Sequence, residues 1–132
     1  MANFRKSLNL VILKVLSPIL LGIGIINFFL PEYSDWISTH LYNNAFLIVA
    51  GLTGLVISFT KAKVHAKRFC FILGMAYFYF FVANFAGLFP AFEIDWRTLD
   101  DSVHLLMAMT FILTGIYGPK EEKISALPYL EL

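Results

Sequence analysis

The side chains able to do metal or acid–base chemistry are few in this chain: three histidines, nine acids and one cysteine in 132 residues. His104 is the most interesting of them. It stands three residues after Asp101 and four after Asp100, spacings that place all three on one face of a helix. His40 opens a second apolar stretch, and Glu93 and Asp95 lie a short way before the aspartate pair. Imidazole and carboxylate donors gathered on one side suit Zn²⁺ or Cu²⁺, so His104, Asp100 and Asp101 are candidate metal ligands, with His40 a further candidate. The plainer alternative is a helix start with acidic caps and an interfacial histidine. A haem or chlorin is conceivable at the same place, because His40 and His104 share a side, whereas His65 falls in a basic segment far from both. Cys70 has no second cysteine to pair with and reads as a small packing residue.

The elements that must position these groups are four apolar blocks: Leu8 to Leu30, Leu41 to Phe59, Phe69 to Phe89 and Val103 to Tyr117. Hydrophobic residues make up 59% of the chain and charged ones 14%, well outside the balance of soluble domains. Crossing a hydrocarbon layer takes about 20 apolar residues. Three blocks are long enough, and the flanks of the fourth can lengthen it. The expectation is an all-α, multi-pass integral membrane protein: a four-helix bundle filling residues 1–132, with a tail over 119–132. The first block, preceded by Arg5 and Lys6, is longer than a signal-peptide core and has no A-x-A-like site after it, so it reads as a span.

Charge placement orients the spans. Arg5 and Lys6 precede the first, and Lys61, Lys63, Lys67 and Arg68 lie between the second and third. The other two connections are acidic apart from Arg97. Basic residues stay on the cytoplasmic side of short loops, so both termini and the middle loop are expected there. The basic run is too short and too near the membrane for nucleic acid; it reads as a topology signal or an anionic-lipid contact.

The chain also repeats itself. Asn27-Phe28 matches Asn84-Phe85, Pro31 matches Pro90, Asp35-Trp36 matches Asp95-Trp96, and Leu52-Thr53-Gly54-Leu55 matches Leu113-Thr114-Gly115-Ile116. Two tandem units follow, over 8–60 and 69–118, each a helix, an outer loop and a helix. An even number of crossings gives both units the same orientation. Pro31 and Pro90 are expected to end the outgoing helices, and Trp36 and Trp96 to anchor the outer interface. Gly51, Gly54 and Ser58, and Thr114 with Gly115, are expected to mark helix-packing faces. Thr98-x-x-Asp101 has the form of a capping box. In this layout, with its doubled Leu-Thr-Gly and the run Asp100-Asp101-Ser102-Val103-His104-Leu105-Leu106, the chain resembles a bacterial family of small four-span membrane proteins of unknown function. That resemblance implies an architecture and a bacterial inner (plasma) membrane, not an activity. The first unit carries Asn43 where the second has His104.

No catalytic motif is present in the sequence, and the chain reads as a non-enzyme. The central thirds of the spans hold no ionisable group, which disfavours an ion-coupled carrier. The third block contains Tyr77-Phe78-Tyr79-Phe80-Phe81 in succession; some of these rings must face lipid or another protein. The tail carries Tyr129, Leu130 and Leu132, apolar groups suited to docking on a partner. The expected role is therefore a non-catalytic accessory or structural subunit, in contact with membrane lipids and either other subunits or its own copies. No cofactor is required by that role. An outer-side metal, pigment or quinone site at His104 with Asp100 and Asp101 is the alternative, followed by a passive channel or lipid-handling protein.

Overall fold

A computed structural model describes residues 8–29, 40–60, 63–91 and 98–117. These form four helices: α1 (Leu8–Phe29), α2 (Leu41–Thr60), α3 (Lys63–Ala86) and α4 (Thr98–Tyr117). Each is long and apolar enough to cross a membrane, which makes the chain a membrane protein by length and composition. At 1.5 Å per residue, the 22 residues of α1 reach about 33 Å.

The helices pair as two close hairpins, α1 with α2 and α3 with α4, which meet along a much thinner seam. Contacts across that seam fix their relative direction. Phe46 of α2 packs edge-on against Phe80 of α3 with ring centroids 5.0 Å apart. At the other end, a Cβ built on Gly54 of α2 would lie 3.3 Å from the ring of Phe69 in α3. So α3 runs antiparallel to α2, and both hairpins stand the same way up. One end of the bundle carries Asp100 and Asp101 and the other carries Lys67 and Arg68. They are called here the acidic end and the basic end.

Small residues let the paired backbones approach. In α1 the buried residues Leu10, Leu13, Ser17, Leu20, Gly24 and Asn27 recur at alternating steps of three and four, the spacing of a seam between supercoiled helices. Opposite them, a Cβ at Gly51 would sit 2.8 Å from the carbonyl oxygen of Ser17, and one at Gly54 would overlap the Ser17 hydroxyl. A Cβ at Gly24 would press on Ile48 at 2.9 Å. The second hairpin does the same with the small residue on the other helix as well: Gly74 of α3 would meet the Ile112 backbone at 2.6 Å, and Gly115 of α4 would meet the Phe71 Cα at 2.8 Å. Gly51, Gly54 and Gly115 are thus packing positions, and they face the other helix of their own hairpin. Thr114 is buried on the same face, but its hydroxyl donates to the Thr110 carbonyl at 2.5 Å rather than across to α3.

Two boundaries differ from the sequence expectation. Helix α3 begins at Lys63, so His65, Lys67 and Arg68 are helical and do not belong to a loop. The basic segment is polar but contains nothing that breaks a helix, and the apolar core simply starts one turn later. At its other end α3 stops at Ala86, well before Pro90. Gly87 takes a left-handed φ of 61°, and the Leu88 amide donates to the Ala83 carbonyl at 3.0 Å. This is a Schellman termination, so glycine ends the helix and Pro90 lies in the turn beyond it. Pro31, Trp36, Trp96 and the tail 119–132 lie outside the described residues.

A backbone-to-side-chain clash has little room to relax, so Gly115→Leu should destabilise the detergent-solubilised protein by about 1–3 kcal/mol. Gly22, which has nothing within 4 Å of a built Cβ, should accept alanine with no loss. Thermal melts of the two variants check this contrast.

Candidate functional site

Because the hairpins share one orientation, the polar residues near the ends of α1 and α3 and the starts of α2 and α4 collect at the acidic end. Asn27, Asn43, Asn44, Asp100 and His104 are all buried there. In a soluble protein these residue types would face water. In an apolar membrane the arrangement inverts, and polar groups are held inside where they can find one another.

His104 lies nearly two turns into α4, with 4% of its surface exposed. Its ring sits 5.8 Å from the Tyr77 ring and 5.8 Å from the Phe80 ring, both on α3. Phe46 of α2 closes on the same two aromatics, at 5.5 Å from Tyr77 and 5.0 Å from Phe80, while Phe111 stacks under Tyr77 at 6.2 Å. The imidazole therefore roofs an aromatic cluster drawn from three helices. Residues 46, 77, 80, 104 and 111 share it because each points inward on its helix, and edge-to-face pairs such as Phe46–Tyr77 add directional attraction to plain burial.

Above this cluster, Asn84 of α3 donates from Nδ2 to Oδ2 of Asp101 in α4 at 2.8 Å. The bond joins the last turns of α3 to the first turn of α4, and one of its partners is a carboxylate, which strengthens it. Asp101 and Asp100 both fall in the first turn of α4, where negative charge meets the positive end of the helix dipole. Buried polar atoms without a hydrogen-bond partner among the described residues include Oδ1 of Asp101, Nδ2 of Asn27 and the Tyr77 hydroxyl. The layer is thus polar beyond what its own bonds consume.

Of the residues singled out from sequence, Asp100, Asp101 and His104 do share the first turns of α4. His40 immediately precedes α2, accepts the Asn44 amide at its carbonyl (3.1 Å) and packs its ring 5.3 Å from Tyr42. The two histidines therefore belong to different ring clusters. Among the described residues no three His, Cys, Asp or Glu side chains stand close enough to hold a metal ion. Glu93 and Asp95 lie outside the described residues. Cys70 is buried on α3. Sequence reading overlooked Tyr77, Ser17 and Gly74. The signal for Ser17 was available, since the polar and small residues of α1 fall on one three-four stripe. The signal for Tyr77 was not, because it sits in an unbroken aromatic run whose inward member no periodicity marks. No family model, curated protein or solved structure matches the chain.

The geometry makes the Asn84–Asp101 bond a clamp on the second hairpin. A double-mutant cycle of Asn84→Ala and Asp101→Ala, read by thermal or denaturant unfolding in detergent, should give a coupling of about 0.6–2 kcal/mol. The same cycle between Asn84 and the exposed Thr60 should give none.

Proposed function

We propose that the chain is a duplicated two-helix unit acting as a non-catalytic accessory or structural subunit of a bacterial inner membrane, packed against other membrane subunits or its own copies. Duplication is supported by burial as well as by the repeated words. At an offset of 57, Asn9, Leu13, Ser17 and Leu20 of α1 correspond to Ala66, Cys70, Gly74 and Tyr77 of α3, all buried. At an offset of 61, Asn43, Leu47, Ala50 and Gly54 of α2 correspond to His104, Ala108, Phe111 and Gly115 of α4, again all buried. The distribution of basic residues supports cytoplasmic termini.

The observation that carries the subunit role is a second stripe on α3. Met75, Phe78, Val82 and Phe85 recur at steps of three and four, all exposed, with Phe85 at 73%. Helix α3 is also the least buried span, at 28% of its apolar window. A stripe at supercoil spacing fits a partner helix by knobs-into-holes packing, and bulky rings there supply the contact area that drives association where lipid offers no hydrophobic contrast.

One further observation favours a ligand reading at the acidic end. Asp100 and His104 are 3% and 4% exposed, and ionisable groups buried within a membrane bundle mark ligand or proton sites more often than not. Under that reading, the imidazole and carboxylates bind a metal, a pigment or the headgroup of a quinone.

Native mass spectrometry of protein released in mild detergent, with an absorption scan and metal analysis of the same sample, separates the two. The subunit reading expects a reproducible complex that falls to monomer in the Phe78→Ala, Phe85→Ala variant. A bare wild-type monomer contradicts it. A bound species lost in His104→Ala would transfer the role to the acidic end.

A further inference from the structure

At the basic end, α3 and α4 part to leave a groove of about 440 Å³ lined by Lys67, Arg68, Phe71, Ile72, Gly115 and Ile116. Lys67 and Arg68 stand at its mouth, in the second turn of α3. Phe71 and Ile72 form one wall a turn deeper, since steps of four return to one side of a helix. Gly115, close against the Phe71 backbone, makes the floor, and Ile116 supplies the opposite wall. Phe71, Ile72 and Ile116 are 43%, 66% and 55% exposed. From Lys67 to Ile72 the helix rises only about 8 Å, so the groove is short. A helix, about 10–12 Å across with its side chains, would bridge such a slot rather than enter it.

We propose that this groove seats the chain's own tail, with the segment Leu127-Pro128-Tyr129-Leu130 laid between Phe71, Ile72 and Ile116. Charge does not select the occupant, because Arg68 already takes part in another interaction. The apolar walls and the connectivity of the chain do. Ile116 is one residue from Tyr117, where α4 ends, so whatever follows is tethered at the groove's mouth and meets it at a high effective concentration. Pro119 lacks the N–H that would continue the bonding of α4. Lys120-Glu121-Glu122-Lys123 then supplies a polar stretch suited to a turn in water. From Gly118 to Leu127 an extended chain reaches about 30 Å, several times the depth of the groove and ample for doubling back. Pro128 disfavours a helical conformation at Leu127, and an extended segment is thin enough for a slot that a helix cannot enter. The driving force separates the tail from a lipid. An acyl chain gains nothing by leaving other acyl chains for Phe71 and Ile116, whereas Ile124, Leu127, Tyr129 and Leu130 leave water. On the open side of the segment, at the membrane boundary, water still serves the backbone polar groups. This seat is independent of the α3 stripe from Met75 to Phe85 and of the acidic end.

The test is disulfide trapping in the full chain, in its native membranes. In a Cys70→Ser background, Ile72→Cys is paired with Leu130→Cys, and the control pairs Leu130→Cys with Val15→Cys. Val15 lies at a like depth in α1 of the other hairpin and is 54% exposed. Both wall positions are exposed, so neither change has much bearing on folding. The pair at 72 and 130 should close within one chain, about tenfold faster than the control or more. Adding Leu127→Ser with Tyr129→Ser should bring it down to the control rate, because apolar contacts hold the segment. Equal rates for the two pairs would mean that the tail lies on the membrane surface, and they overturn the proposal. So does a pair at 72 and 130 that fails to close, closes only between copies, or closes at a rate the serine variants leave untouched.

Discussion

Everything in this bundle depends on how closely two helix backbones can come together at a glycine. In a lipid surround, two apolar helices gain nothing by leaving lipid for each other, so their association rests on close van der Waals contact and on bonds between polar groups. Gly51 and Gly54 admit the α1 backbone around Ser17, and Gly74 and Gly115 bring α3 and α4 within the same reach. Once the pairs are this close, side chains such as Asn84 and Asp101 span the gap directly. The polar layer at the acidic end is therefore a consequence of the glycine contacts as much as a feature beside them.

The hairpins are strong units joined by a thinner seam, and the seam is where the aromatics act. Phe46, Tyr77, Phe80 and Phe111 fill the space between α2, α3 and α4, with His104 above them. Rings suit this position because they bridge a wider gap than aliphatic side chains and orient by edge-to-face contact. The same helix carries aromatics outward on its other side, so α3 divides its rings between the seam and the membrane.

Much of this was legible in the sequence because membrane physics leaves few alternatives. Four apolar runs of spanning length already imply four membrane-crossing helices. Gly51, Gly54 and Gly115 were identifiable as packing residues by the same logic. What periodicity does not contain is the identity of the neighbour. A run such as Tyr77 to Phe81 points in every direction, and only the position of α2 and α4 decides that Tyr77 is interior and Tyr79 is not. Helix ends follow a related rule. Pro90 is a conspicuous breaker, but Gly87 acts first because the chain needs a left-handed residue to satisfy the last carbonyls. The segment 63–68, with Lys63, Lys67 and Arg68, is helical although it is charged, because charge ends a membrane crossing without ending a helix.

The central claim is that two hairpins stand in the membrane the same way up, with the acidic end on one side and the basic end on the other. Site-directed thiol labelling tests it most directly. In a Cys70→Ser background, single cysteines at Ser38 and Glu93 should react with a membrane-impermeant maleimide from one and the same side of the membrane. Cysteines at Ala62 and Ser125 should react only from the opposite side. Labelling of Ser38 and Glu93 from opposite sides would contradict the shared orientation and, with it, the origin of the polar layer.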